Sequence, residues 1–173
     1  MKRSERVRRV ALLCCHCLRN VALYRCAWRR RELIVRRQFW VNANGNAIDI
    51  AILEWCKLFA DRKGKHHWKR VVSDEATFLS QLLRALRMSA KEFLDFARSV
   101  LRYRNKFVAH LDDERTMQIP AARILRRSAA FLYDWLRADA IDSQYLQDAP
   151  SCAREHYSAF YSHGRAEHLR NAA

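Results

Sequence analysis

Glycine and proline are scarce in this chain of 173 residues, which has three glycines and two prolines. A Walker loop, a dinucleotide-binding loop and a kinase glycine loop each need several closely spaced glycines to bring backbone amides against phosphate. The three glycines, at 45, 64 and 164, are too far apart for any of these loops. The sequence therefore excludes these nucleotide-binding classes, and the shortage of chain-breaking residues favours long helices.

Long apolar runs are also missing. Five of the first nine residues are Lys or Arg and precede an apolar run at 10–15, as in a secretory leader, but His16 and Arg19 interrupt the run and no small-residue cleavage site follows. No run approaches the roughly 18 to 20 apolar residues that a membrane span needs. The six cysteines are too sparse for a small disulfide scaffold. We therefore expect a cytoplasmic protein with no membrane partner.

Acidic residues are also few: the chain has 33 Lys and Arg residues but 18 Asp and Glu residues, which gives a net charge of +15. Residues 1–40 hold twelve of these cations and only two acids, Glu5 and Glu32. An arginine-rich surface attracts polyanions through its long-range field and through bidentate phosphate contacts. Nucleic acid is therefore the first expected partner, ahead of an anionic membrane surface or a basic face that only meets solvent.

Apolar residues recur at spacings of three and four in five segments, which predicts helices near 6–37, 48–59, 73–86, 89–111 and 120–136. Polar residues around Gly45 predict a turn at 42–46. Ser89 and Glu92 form a capping-box pattern. The fold class is thus all-α, an antiparallel bundle of four to five helices. We expect one domain over 1–140 with an Arg-rich first helix, and a partly ordered tail over 141–173.

Arg104 falls in the middle of the apolar stripe of the fourth predicted helix. A buried guanidinium needs an internal anion, an interface or an anionic ligand, because it cannot be neutralised. His110 lies at the edge of the same stripe, and two copies of the helix about a twofold axis would bring both pairs together. The alternative is structural, with Arg104 paired to a buried acid and His110 capping the helix end. The candidate acids are Asp49, Glu54 and Asp95.

The segment from Tyr103 to His110, with Arg104, the polar Asn105 and then His110 after five intervening positions, resembles the defining motif of the HEPN superfamily. The run Trp55–Phe59, the loop His66-His67-Trp68 and the long helix into Ala109-His110 look like its abortive-infection-related branch. The resemblance covers about residues 38–138. It implies a HEPN-like helical bundle and homodimerisation.

Many HEPN proteins are metal-independent endoribonucleases that act as toxins or antiviral effectors, and others only bind. If this chain cuts RNA by attack of the 2′-OH, His110 would move a proton, Arg104 would stabilise charge on phosphorus, and Asn105 would orient substrate. No metal or other cofactor is expected, and a cognate antitoxin or regulatory protein is a further implied partner. The alternative is a non-catalytic HEPN-like module that binds RNA or a protein.

A basic loop at 61–68 ends at Trp68, and its cations are suited to phosphate contacts. The residues expected to contact RNA are Lys63, Lys65, His66, His67 and Lys106. For Trp68 itself we favour a role as an anchor of the loop to the core.

The cluster Cys14, Cys15, His16 and Cys17 lacks a second pair of ligands for zinc, so we interpret these cysteines as buried structural residues. A helix-turn-helix at 74–111 is the weaker binding hypothesis, because apolar residues occupy the base-reading positions.

Overall fold

The computed structural model describes residues 1–108 and 118–172, and this part of the chain is mostly helical. Its α-helices are α1 (Arg3–Cys26), α2 (Gln38–Trp55), α3 (Glu75–Leu86), α4 (Ala90–Tyr103), α5 (Ala122–Ala138) and α6 (Ala153–Arg170). Two short strands, β1 (Trp28–Arg29) and β2 (Glu32–Leu33), form an antiparallel hairpin. The predicted helical class is confirmed. None of the helices in the described part is both long and apolar enough to cross a membrane.

Helix α1 is the central element, because α2, α5 and α6 all pack against it. Apolar spacings of three and four imply one buried stripe, but the buried side chains of α1 cover more of the helix than that. They include Val7, Val10, Ala11, Cys14, Cys15, Cys17, Leu18 and Val21. A helix that is covered on several sides buries apolar residues around most of its circumference. The cysteines are thus buried structural residues, as predicted.

The first helix ends at Cys26 and not near residue 37 as predicted. A tight hairpin follows, in which Trp28 faces Leu33 and Arg29 faces Glu32. The two loop residues, Arg30 and Arg31, both have positive φ, at 49° and 70°. This is the backbone of a type I′ turn, which ordinarily has Asn and Gly at these positions. Because neither residue is present, the sequence carried no turn signal here.

The turn predicted at 42–46 is wrong, since these residues lie inside α2. Asn44 is buried, and its side chain binds the base of the hairpin: Nδ2 donates to the carbonyl of Tyr24 at 2.9 Å, and Oδ1 accepts from Trp28 Nε1 at 3.2 Å. The polar residues that suggested a turn therefore include one that joins α2 to the end of α1.

Helices α3 and α4 begin where local capping signals indicate. Oδ1 of Asp74 caps α3 by accepting from the Thr77 amide at 2.9 Å, and Ser89 and Glu92 form the predicted capping box of α4. Between them Arg87 is left-handed, with φ 57°. The expected extension of α4 to about residue 111 holds only in part. Regular α-helix stops at Tyr103, a π-helical turn covers Arg104–Val108, and the remainder lies outside the described residues.

The C-terminal segment differs most from the prediction of a loose tail. It contains a 3-10 turn at Asp142–Leu146 and the 18-residue helix α6, which packs along α1. Gly164 makes the close approach feasible, because a Cβ there would lie 2.6 Å from the sulfur of Cys26. Arg165 donates to the carbonyls of Cys26 and Trp28 at 3.0 and 2.9 Å. The described part of the chain therefore contains six α-helices, where the sequence predicted four to five.

Trp55 is the centre of the aromatic part of the core. Its indole donates to the hydroxyl of Ser128 on α5 at 2.7 Å, and its ring stacks on Phe59 with a centroid distance of 5.1 Å. Phe93 and Phe96 of α4 meet it edge to face. These contacts hold α4 against the end of α2, which determines where the π-helical turn after α4 is presented.

Candidate functional site

Arg104 begins the π-helical turn that continues α4. Its side chain is half-buried. Single π-helical turns within α-helices are rare and are frequently found at functional sites. The helical spacing predicted Arg104 in the middle of an apolar stripe, whereas the residue is half-buried, and the sequence gave no sign of this change in helical geometry.

Asn105 orients the guanidinium of Arg104. Its Oδ1 accepts from Nε at 3.0 Å and from Nη2 at 2.8 Å. An amide oxygen satisfies these two donors without neutralising the positive charge. Arg104 therefore keeps its full charge and has one edge held in a defined direction, an arrangement suited to binding an oxyanion.

The three acids named for the structural alternative have partners other than Arg104 in the described chain. Asp49 accepts from the hydroxyl of Tyr103, Glu54 pairs with Lys57 at 3.2 Å, and Asp95 pairs with Arg98 at 3.0 Å. Among residues 1–108 and 118–172, no carboxylate forms an ion pair with Arg104.

Tyr103 supports the turn from inside, a role that the sequence analysis missed. It is 3% exposed, and its hydroxyl donates to Oδ1 of Asp49 on α2 at 2.8 Å. Burial raises the pKa of Tyr103 well above its usual range, and the hydrogen bond to Asp49 raises it further. The signal was available in principle, since a buried tyrosine hydroxyl next to Arg104 needs a polar partner.

His110 and the rest of segment 109–117 lie outside the described residues, so its predicted place beside Arg104 remains a prediction. The prediction that His110 lies at the edge of the same stripe assumed a regular α-helix. Because the turn Arg104–Val108 is π-helical, the spacing of a regular α-helix does not apply across it. Lys106, expected to contact RNA, is half-buried within the same turn.

Cys56 lies near Arg104, where α2 passes into a second π-helical turn at Cys56–Ala60. Burial raises the pKa of its thiol to about 11, although the positive charge of Arg104 draws it down. A thiol in this state is protonated at neutral pH and is a poor nucleophile. Cys56 therefore packs beside the site and supplies no reactive group.

The basic loop separates into structural and exposed residues. Trp68 is 4% exposed and stacks on Phe78 at 4.7 Å, so its predicted role as an anchor is confirmed. His67 is also buried, which contradicts its assignment as an RNA contact. Its Nε2 lies 3.2 Å from the carbonyl of Phe59, and its Nδ1 accepts from the amide of Lys69. The ring is therefore neutral with its proton on Nε2, and burial lowers its pKa.

Lys63 and Lys65 are exposed, as an RNA contact requires, and His66 is half-buried. Burial lowers the pKa of His66, and Arg9, Lys57, Lys65 and Arg6 lower it further. The loop and the first helix thus contribute to one group of positive charges. Within the described chain, Nε2 of His66 and Nε of Arg6 are buried without hydrogen-bond partners.

Comparison of the chain with protein-family models, with curated proteins and with solved structures found no match.

Proposed function

We propose that this protein is a HEPN-like, metal-independent endoribonuclease that cuts RNA by attack of the 2′-OH, with Arg104, Asn105 and His110 as its site residues. The single observation that supports it best is the state of Arg104. Arg104 is half-buried, and its guanidinium is oriented by Asn105 and paired with no carboxylate of the described chain. Such a group stabilises negative charge that develops on a phosphate oxygen.

In this proposal His110 carries out the proton transfers. With an unperturbed pKa of about 6.5, a histidine accepts a proton from the 2′-OH or gives one to the leaving 5′ oxygen near neutral pH. Attack of the 2′ oxygen on phosphorus breaks the bond to the 5′ oxygen and leaves a 2′,3′-cyclic phosphate. DNA, which has no 2′-OH, would be spared. In a twofold dimer, each Arg104 and His110 would join the pair of the other copy at one composite site.

Substrate would be held by basic residues of the loop and of the first helix. Lys65 and His66 share their surroundings with Arg6, Arg9 and Lys57, and this group offers several donors to backbone phosphates. In a cell, an enzyme of this kind would act as a toxin or antiviral effector and would need a partner such as an antitoxin to restrain it.

The test is to incubate the protein with mixed RNA in EDTA and to determine the ends of the products. We expect 2′,3′-cyclic phosphate ends from the wild type, and at least about 10²-fold slower cleavage by Arg104→Ala and His110→Ala. Arg98→Ala is the matched control, because Arg98 is an exposed arginine of the same helix. Folded protein that binds RNA without cleaving it would instead support a non-catalytic HEPN-like binding module.

A further inference from the structure

A pocket lies beside the hairpin and combines aromatic rings with arginines that form no ion pair with any described residue. It has a volume of about 410 Å³ and is lined by Tyr24, Arg25, Trp28, Arg30, Arg31 and Tyr161. Tyr24 and Trp28 meet edge to face at 5.9 Å. The three arginines are exposed, whereas the rings are half-buried and keep part of their surface open to solvent.

A second pocket of about 400 Å³ continues the first, because Arg25 and Tyr161 line both. It adds Arg123 and Arg126 from α5 and Tyr157 from α6. The guanidinium of Arg126 lies 4.8 Å from the centre of the Tyr157 ring, and Tyr157 is stacked with Tyr161 at 6.1 Å. Helix α6 therefore presents two stacked tyrosine rings along the floor, with a cation over one of them.

A third pocket of about 440 Å³ shares Arg126 and Tyr157 with the second and adds Arg127 and Arg154. Of the described residues that line the three pockets, Asp134 is the one carboxylate, and its Oδ1 accepts from the amide of Ala153 at the start of α6. We call the three adjoining pockets the arginine trench.

Among the described residues, the acids that neighbour the arginine trench form no ion pair with its arginines. Throughout residues 1–108 and 118–172, the ion pairs involve other cations, such as Arg3, Arg8 and Arg98, and none involves an arginine of the trench. A row of uncompensated guanidinium groups creates a strong positive potential, which a concave surface concentrates.

The tip of the hairpin has a strained backbone. Arg30 and Arg31 adopt left-handed backbone conformations that disfavour residues with a side chain. Asn and Gly would form this turn with less strain, yet they would remove two cations from the trench. Backbone strain of this kind tends to be found where it serves a binding site.

We propose that the arginine trench binds single-stranded nucleic acid, with its arginines on the phosphates and its aromatic rings against the bases. Interleaved cations and aromatic rings are how proteins hold single strands without reading sequence. A duplex hides its bases from such rings, and an acidic peptide or a lipid headgroup offers the cations charge but gives the rings no base to stack on. The proposal goes beyond the cleavage reaction, because none of these residues belongs to the Arg104 site and binding does not require catalysis.

The test measures the anisotropy of labelled 12-nucleotide ligands with the full-length protein. The ligands are oligouridine, oligodeoxyuridine and an RNA duplex, with polyglutamate of equal charge as competitor. The DNA strand has no 2′-OH, so its binding is measured independently of the proposed cleavage. We expect both single strands to bind at least about tenfold more tightly than the duplex, and polyglutamate to compete poorly, because stacking contributes beyond charge.

Two variants examine the two kinds of contact. Arg25→Gln/Arg123→Gln should weaken binding of the DNA strand at least about tenfold and lower the slope of log K against log salt by about 1.4, since about 0.7 is lost per phosphate contact. Its control, Arg36→Gln/Arg98→Gln, removes the same charge from exposed arginines outside the trench. Tyr161→Leu should weaken binding about tenfold through lost stacking, and Tyr145→Leu should not.

Arg31→Gly separates binding from folding. It removes one cation and relieves a positive-φ strain, so it should raise the Tm by about 2 °C while it weakens binding about threefold. Arg87→Gly makes the same exchange at the left-handed residue after α3, which lines none of the three pockets, and should raise the Tm without weakening binding. Equal binding of duplex and single strand, full competition by polyglutamate, or trench variants that bind like their controls would overturn the proposal.

Discussion

The guanidinium of Arg104 donates two hydrogen bonds to one oxygen of Asn105, from Nε at 3.0 Å and from Nη2 at 2.8 Å. The two residues are adjacent in the sequence and lie at the start of a π-helical turn. The arginine is therefore oriented by its own neighbour, and its charge is left available for a ligand.

Asn105→Asp should inactivate the proposed ribonuclease more strongly than Asn105→Ala. The carboxylate would take the same two hydrogen bonds but would neutralise Arg104 and repel phosphate. We expect initial rates of RNA cleavage to fall about 10²-fold for the aspartate variant and about tenfold for the alanine variant. Circular dichroism checks that both variants are folded. Cleavage by Asn105→Asp at the wild-type rate would show that the charge of Arg104 does not act on substrate.

Tyr103→Phe should lower the free energy of unfolding by about 1.5 to 3 kcal/mol, because Asp49 would lose a hydroxyl donor that reaches it from the core. Urea denaturation of Tyr103→Phe, Asp49→Asn and the double variant gives the coupling between the two residues. We expect Asp49→Asn to cost clearly less when it is added to the Tyr103→Phe variant than when it is added to the wild type. Strictly additive effects would mean that the hydrogen bond contributes nothing.

Acid should destabilise the protein through its buried histidine. The folded-state pKa of His67 is lowered, first by burial, so the unfolded chain binds a proton more readily than the folded one. The stabilising contribution of neutral His67 is complete above the unfolded pKa of about 6.5 and is lost as the pH falls from there toward the folded pKa.

His67→Gln keeps a donor for the carbonyl of Phe59 and cannot titrate. The loss of stability between pH 7.5 and pH 5.5, measured by urea denaturation, should be smaller in this variant, by at most about 1.4 kcal/mol per pH unit. His16, His66 and His168 also have lowered pKa values, each through burial first, so the wild-type dependence should not vanish. Identical pH profiles would exclude His67 as a contributor.

Gly164→Ala should destabilise the contact between α1 and α6. The added Cβ would lie 2.6 Å from the sulfur of Cys26, which is closer than two such atoms can approach. We expect a loss of about 1 to 3 kcal/mol. Cys26→Ala in the same variant removes the sulfur and should restore part of that loss.

Gly45→Ala is the matched control for this variant. Gly45 lies within α2, and a Cβ there would meet nothing within 4 Å. Alanine should therefore stabilise the helix by about 0.5 to 1 kcal/mol. A neutral Gly164→Ala would mean that α6 does not lie against α1 at this distance.

The sequence was most informative where a structural signal is local. The capping box of Ser89 and Glu92 involves four consecutive residues, and both of its hydrogen bonds are present. The apolar spacing predicted helices near 73–86 and 120–136, where α3 and α5 lie with Phe78, Leu82, Leu125 and Leu132 fully buried. Such features depend on helix geometry alone, so no knowledge of distant contacts is needed.

Errors arose where distant residues override the local signal. Asn44 lies within a stretch that reads as a turn, yet it is helical because its side chain bonds to Tyr24 and Trp28 from the preceding elements. Helix α6 has weak periodicity of its own and is ordered by close packing of Gly164 against Cys26. His67, assigned to RNA contact from its charged neighbours, is buried by the loop that it helps to close.

The sequence by itself determined the helical class, the excess of positive charge and the position of the Arg104-Asn105 pair, because composition and helical spacing are properties of the chain alone. Only the tertiary structure decided that Arg104 starts a π-helical turn, and that Arg25, Arg126 and Tyr161 line one trench. Arg25, Arg126 and Tyr161 come from three helices far apart in the sequence. What joins them is the packing of α5 and α6 around α1, which no local pattern encodes.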